Sequence, residues 1–380
     1  MKIAILETVV PSGHEVEYDR GLVNEFNAKG HSPVFFVPEN YPFKTDYGTP
    51  VEYLDGGEAV SYSKSGFVKK LFLSFTREYR RKCWFDSACR IAAEKAFSLI
   101  VIPTATPRYL RTILHSKLRN SKIPVVVNLQ VFSFEKKGRL QQFLSLAKKL
   151  EKYKNIHITI TSPNHFLRNL PNVEYINPAF YKPTLIKSKG DYDGHTPLTL
   201  SLYGFYRRDD NVKMLFDIFS KGEFTVPVRF IVQAVTSNKK DEESCNELIS
   251  LYGNNPRFKF TKEYLRDESW QKALDDSDVI LAPYNSKQYL YTYSAMCFNA
   301  LGFKRPVIIS DSVNPQLLDE FKVGIKLDFK DYEETRKKVV NFINNFKNDY
   351  PLYLSEINRA AEVYSFENVV KGMLKYNTEK

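Results

Sequence analysis

The chain has 380 residues, 43% hydrophobic and 26% charged, which suits two ordinary globular domains and excludes a disordered polymer. No apolar run reaches the roughly 18–20 residues of a membrane helix. Met1-Lys-Ile-Ala-Ile-Leu6, followed by Glu7, lacks the core of a signal peptide. The net charge of +11 is one-sided: residues 1–190 hold 29 Lys+Arg against 16 Asp+Glu, and residues 64–154 hold 21 against 5. Four cysteines, with no Cys-x-x-Cys pair, argue for a reduced cytoplasmic protein without structural zinc.

Residues 2–6 form a continuous apolar run, which predicts a buried parallel strand. Pro11-Ser-Gly13 predicts a turn, and apolar Val16, Leu22, Val23 and Phe26 a helix ending at Gly30. Residues 33–37 predict the next strand. Residues 66–85 interleave clustered Lys and Arg with Phe, Leu and Trp, the composition of a surface facing an anionic partner. An anionic membrane reached through residues 64–154 fits better than nucleic acid, since the aromatic signature of an RNA-binding sheet is missing. Strands follow at 99–102, 124–128 and 156–160, with a helix around 107–120. Pro178, Pro183 and polar residues 187–197 predict a linker. Strands then recur at 198–203, 228–232, 258–260, 279–281, 306–309 and 323–327. Helices alternate with them at 211–221, 241–252, 267–275, 294–302, 331–347 and about 354–376. This order predicts an α/β protein with two Rossmann-like lobes facing across a cleft, residues 1–185 and 196–355.

Parallel sheets bind ligands beyond the carboxyl ends of their strands. Four such ends carry candidate chemistry. Glu7 to His14 contains Pro11-Ser-Gly-His14, whose small residues admit a ligand to the backbone; it is not the G-x-G-x-x-G pattern of nicotinamide enzymes. Tyr203-Gly-Phe-Tyr-Arg-Arg208 joins a glycine to two guanidinium groups suited to phosphate. Beyond 279–281, a Tyr-rich loop leads to Ser294, an N-cap whose following amides, Ala295 and Met296, make an anion site. Asn299, a turn further on, is placed to meet a ribose hydroxyl. Asn128 and Gln130 end a first-lobe strand on the acceptor side. Asp191-Tyr-Asp193 lies in the predicted linker, away from any strand end, so no metal site is expected.

Asp278-Val-Ile-Leu-Ala-Pro-Tyr284 and Ala300-Leu-Gly-Phe-Lys-Arg-Pro-Val-Ile308 resemble, in order and spacing, the carboxyl half of a GT-B-fold glycosyltransferase of the family 4-like group (glycosyl transferases group 1). Ser12-Gly-His14 is similar to that group's amino-terminal glycine loop. Ser365-Phe-Glu367 and the last helix are similar to its terminal segment, which returns to the first lobe over about 360–380. The resemblance implies transfer of a hexosyl-type sugar from a nucleotide sugar (UDP or GDP) to a saccharide or lipid-linked acceptor, in cell-surface polysaccharide or glycan synthesis. It implies a cytoplasmic enzyme, peripheral on the inner face of the membrane, that needs no metal cofactor and binds no nucleic acid. The donor would meet Gly13, Gly204, Arg207, Arg208, Glu263, Tyr264, Leu265, Tyr293, Ser294, Ala295, Met296 and Asn299. The group's Glu-x7-Glu pair falls on Tyr291 and Asn299 here, so neither carboxylate is present. Glu7, His14, Glu15 and Asp19 are the candidate catalytic groups, and retention or inversion stays open. A nucleotide-sugar epimerase of the same fold, or a non-catalytic sugar- or nucleic-acid-binding module, are the alternatives.

Overall fold

The computed structural model describes residues 1–8, 14–43, 45–59, 67–130, 134–135, 138–167 and 170–377, less the side chains of 14, 67–72 and 377. It divides into two compact units, Met1–Pro178 with Phe366–Lys380, and Ala179–Ser365.

The first unit is a parallel sheet of β1 (Lys2–Leu6), β2 (Ser32–Glu39), β3 (Val51–Glu58), β4 (Leu99–Ile102), β5 (Val125–Leu129), β6 (Ile156–Thr161) and β7 (Val173–Ile176). Its order, β3-β2-β1-β4-β5-β6-β7, reverses direction between β1 and β4. Helices α1 (His14–Ala28), α2 (Phe67–Glu94), α3 (Pro107–Leu114) and α4 (Arg139–Leu150) connect the strands. The strands β1, β4 and β5 are apolar because helices cover both faces; Ile3, Ile5, Leu99, Val101 and Val126 are wholly buried.

The second unit repeats the plan with β8 (Leu198–Leu202), β9 (Val228–Gln233), β10 (Phe258–Thr261), β11 (Val279–Ala282), β12 (Val307–Ser310) and β13 (Gly324–Leu327), in the order β10-β9-β8-β11-β12-β13. Its helices are α5 (Asp210–Lys221), α6 (Lys239–Tyr252), α7 (Asp267–Asp275), α8 (Ala295–Gly302), α9 (Pro315–Glu320) and α10 (Tyr332–Val363). Its core stacks Phe219 on Phe230, ring centroids 3.8 Å apart. Each such fully buried ring contributes about 1.5–3 kcal/mol.

The segment 187–197, read as a linker, is packed onto this unit. Buried Arg305 bonds Asp275 at 3.1 Å and the Gly190 carbonyl at 2.8 Å, and Lys189 N–H donates to Asp275 at 2.8 Å. The Tyr192 ring lies edge-on to Phe346 and Tyr350. A buried guanidinium must be paired, and here the pairing folds polar chain onto the core.

Helix α11 (Phe366–Leu374) belongs to the first unit. It lies on α1 because residue 21 is glycine: a Cβ there would stand 2.1 Å from the Phe366 ring. Lys29 bonds Glu367 at 3.1 Å beside this contact. Among the described residues, no helix is long and apolar enough to cross a membrane.

Candidate functional site

In the second unit the strand order reverses between β8 and β11, and the loops beyond their carboxyl ends adjoin. Beyond β8, Gly204 holds φ at 90°, a conformation that disfavours a side chain. Among the described residues, chain neighbours aside, only the Met296 methyl at 3.9 Å lies within 4 Å of a Cβ placed there, so the backbone is open and α8 lies alongside. Gly204 N–H donates to Gln233 Oε1 at 2.8 Å, and Gln233 Nε2 donates to the Glu263 carbonyl at 2.8 Å. Gln233, buried at the end of β9, therefore ties together two loops that the sequence marked separately. Phe205 and Tyr264, both about half exposed, face each other across these loops at 5.8 Å.

The arginine loop is pinned by its backbone and leaves its charges free. Tyr206 N–H donates to the Val235 carbonyl and Arg208 N–H to Asp241, at 2.8 and 2.9 Å. The side chains of Arg207 and Arg208 are exposed, and neither bonds another described residue. Asp209 caps α5 through Asn211 N–H and also accepts from Asn285 N–H at 2.8 Å, linking this loop to the one after β11. Asn211 Nδ2 adds a 2.8 Å bond to the Pro283 carbonyl.

Helix α8 points its amino end at the same place. Buried Ser294 is its N-cap, accepting from Cys297 N–H. Ser294 N–H donates in turn to Asn314 Oδ1 at 2.7 Å, while Asn314 Nδ2 donates to the Tyr289 and Thr292 carbonyls. Asn314 thus clamps the Tyr-rich loop. Nothing in the sequence marked it, because it acts from beyond β12. The amides of Ala295 and Met296 stand in the first turn, ahead of the one Ser294 caps, where a helix carries partial positive charge.

The first unit has its own concentration of chemistry where β1 ends. Glu7, on the residue after β1, is 3% exposed, and Asp19, on α1, is wholly buried. Neither Asp19 oxygen has a hydrogen-bond partner among the described residues. Burial pushes the Glu7 carboxyl well above its ordinary range, and the charges of Asp19 and Glu15 push it further. Asp19 is raised likewise, by burial and then by Glu15. Burial first, and then the charges of Glu7 and Asp19, raise the phenols of Tyr41 and Tyr47. Arg20 is committed to Glu17 at 2.7 Å. Gln130, 1% exposed, accepts from Thr104 at 3.2 Å and leaves its Nε2 unbonded among the described residues.

No protein-family model and no curated protein matches the chain by sequence. Solved structures match it from end to end. HepE of Anabaena, crystallised with UDP, superposes with a TM-score of 0.65 at 14% identity, covering 98% of this chain and 99% of that one. Sucrose-phosphate synthase from Thermosynechococcus elongatus gives 0.63 at 13%, covering 98% of each. The lipopolysaccharide outer-core galactosyltransferase WaaB gives 0.61 at 12%, covering 98% and 99%. The chain has the GT-B fold.

Within this GT-B fold several marked residues serve structure instead of a ligand. Asn299 is buried, accepting from Trp270 Nε1 at 3.3 Å and donating to the Ala295 carbonyl at 2.8 Å, so it does not offer itself to a ribose. Tyr293 is buried with its hydroxyl 2.7 Å from that of Tyr181. Asn128 is wholly buried: it donates to Tyr18 and the Pro103 carbonyl and accepts from Thr159 and Thr161. It cross-links strands and has no capacity left for an acceptor. These three assignments are corrected. Glu263 reaches the loop cluster through its carbonyl, and Leu265 is half-buried next to exposed Tyr264. Gly13 and the side chain of His14 lie outside the described residues, although α1 begins at His14. Among the described residues, no cluster of His, Cys, Asp and Glu is arranged to hold a metal ion.

Proposed function

We propose that the chain is a nucleotide-sugar-dependent glycosyltransferase of the family 4-like group. It moves a hexosyl-type sugar to a saccharide or lipid-linked acceptor in cell-surface polysaccharide or glycan synthesis. The observation that carries this reading is the convergence, at the β8/β11 reversal, of open Gly204, unbonded Arg207 and Arg208, and the amino end of α8. Those groups suit a diphosphate: two bidentate cations and a row of fixed amides. Phe205 and Tyr264, exposed beside them, offer faces on which a base stacks. The fold neighbour HepE was crystallised with UDP and with UDP-glucose, which supports the same class of donor here.

In this reaction the bond between the anomeric carbon and the diphosphate oxygen breaks, and a bond to an acceptor hydroxyl oxygen forms. The leaving diphosphate takes up the negative charge. The amides of 295–296 are held by the helix before the reaction and stabilise that charge without reorganising, while the free side chains of Arg207 and Arg208 close on the diphosphate as it binds. Arginine cations and helix amides do this work in the proposed site, and donor binding is expected to survive EDTA. The acceptor's proton goes either to the leaving diphosphate or to a carboxylate of the Glu7–Asp19 group. The first route goes with retention of configuration and the second with inversion.

The test is a thermal-shift panel of UDP, GDP, ADP, TDP and CMP in EDTA, followed by turnover with the matching nucleotide sugar. One diphosphate is expected to raise the melting temperature selectively. Arg207→Ala with Arg208→Ala is expected to remove both that rise and turnover, leaving unliganded melting unchanged. Near-normal turnover in the double variant overturns the assignment. Ligand binding without release of nucleoside diphosphate favours the binding-module alternative.

A further inference from the structure

The first unit holds a cavity that the proposed reaction leaves unused, and it exists because one crossover is not a helix. Strands β1, β2 and β3 follow one another in a single direction across the sheet, so both connections between them cross on the same face. The first connection is α1. The second, residues 40–50, has no helix among its described residues and covers β2 and β3 thinly. Glu52 bonds Lys95, just beyond α2, at 2.6 Å, which sets its side chain on the opposite face, where α2 packs on β3. Alternation along β3 then turns Val51 and Tyr53 toward the thinly covered face, where they are 36% and 56% exposed.

Between this connection and the two strands lies a cavity of about 460 Å³ with Val51 at its edge, a volume usual for small-ligand sites. Three rings line it: Phe35 of β2, with Tyr47 and Phe43 at 5.0 and 5.9 Å between centroids. The rest of the lining is polar. Exposed Asp46 accepts from Gly48 N–H through Oδ1 at 2.8 Å, and its Oδ2 has no partner among the described residues. Thr45 Oγ1 accepts from Arg20 of α1 at 3.1 Å, which leaves its hydroxyl hydrogen to donate. Thr49 donates to the Pro33 carbonyl at 2.7 Å and keeps its lone pairs to accept. Ring faces beside oriented hydroxyls and a carboxylate suit a molecule with an apolar C–H face and a rim of hydroxyls, which a sugar ring has. A phosphate is disfavoured, since Asp46 repels it and no cation is among the described residues that line the cavity. The cavity lies over the edge strands and not beyond strand ends, where parallel sheets carry their chemistry. Tyr47 nevertheless joins it to the acids beyond β1, because the charges of Asp19 and Glu7 act on its phenol.

We infer that the cavity between residues 43–49 and the β2–β3 edge is a binding site for an uncharged saccharide. On the transferase reading, on which this role rests, it holds a sugar unit of the acceptor other than the one that reacts. The full-length chain, without nucleotide, is mixed in turn with glucose, galactose, N-acetylglucosamine, lactose, cellobiose and chitobiose, and saturation-transfer NMR reports which of them touch the protein. At least one is expected to do so, with a dissociation constant of about 1 mM. Val51→Arg lays a long side chain across the cavity from an exposed position and is expected to abolish the transfer. Asp46→Ala is expected to weaken binding about tenfold. Unaltered melting curves report that both variants are folded. Arg207→Ala with Arg208→Ala is expected to keep the sugar signal, so this site and the nucleotide assignment fail separately. Absence of transfer to all six sugars overturns the inference, as does undiminished transfer in Val51→Arg. So does loss of the nucleotide-induced melting shift in Val51→Arg, which would reassign the cavity to the nucleotide.

Discussion

Asp19 is wholly buried with both carboxylate oxygens unbonded among the described residues, an arrangement that costs stability whenever the group is ionised. Its pKa is raised by burial and by Glu15, so the folded chain keeps this proton to a higher pH than the unfolded chain does. Between the unfolded and folded values the native state binds more protons. Stability present below the unfolded pKa is therefore lost as pH climbs through the folded one. Asp19→Asn keeps the shape and removes the titration. It is expected to melt above the parent at pH 8, with the gap closing toward pH 5, as read by calorimetry. A gap of equal size at both pH values would contradict a buried carboxyl that ionises. If Asp19 takes the acceptor's proton, the same variant loses turnover while nucleotide binding is kept. The charge of Asp19 acts on Glu7, the first residue beyond β1.

At the scale of elements, α8 shows how a short helix is made dependable. Ser294 caps it, Asn314 holds Ser294, and buried Cys297, Phe298 and Leu301 fix its inner face. Ser294→Ala is expected to cost about 1 kcal/mol, the usual loss for a missing N-cap. It should also weaken nucleotide binding, because the amides of Ala295 and Met296 lose their registration; denaturant melts with and without nucleotide check both. The strand–helix alternation and the α8 segment were legible in the sequence because buried parallel strands are short apolar runs with abrupt ends. Strand β3 was not: Asp55-Gly-Gly-Glu58 carries little β propensity, and this half-exposed strand lies at the edge of the sheet. Helix α2 hid behind its charges, since its buried Trp84, Phe85, Ala88, Ile91 and Ala92 are interleaved with Lys82, Asp86 and Arg90. The sequence predicts two helices, 331–347 and about 354–376, yet α10 runs from Tyr332 through Pro351 to Val363, with Tyr350 and Tyr353 buried on either side of the proline. The candidate site was legible where its chemistry is backbone and charge, at Gly204, Arg207, Arg208 and Ser294. It was not legible where a polar side chain at a strand end could equally serve the interior. Asn128 and Gln130 present the same sequence signal; one is saturated by four partners and the other has an amide nitrogen unbonded among the described residues.

The whole molecule is two cores with one strand order, each built on its own sheet. On the proposed function, a nucleotide bound at the β8/β11 reversal would stabilise the second unit first, by mass action on the state that binds it. Gly21→Val acts on the first unit alone, forcing a side chain into the Phe366 ring. It is expected to lower the unfolding of that unit by a few kcal/mol, as overpacking does, while the nucleotide-induced shift of the second unit persists. Hydrogen exchange resolved by peptide separates the two; equal loosening of both units would refute the division. The seat of Phe366 has a further consequence on the ribosome. The first unit's sheet is complete once Pro178 has been made, but α11, the helix that closes over Gly21, follows only after all of Ala179–Ser365 has been translated. The surface beside Gly21 therefore waits uncovered throughout synthesis of the second unit. A nascent chain stalled in that interval presents a bare helix face to chaperones until α11 has been made.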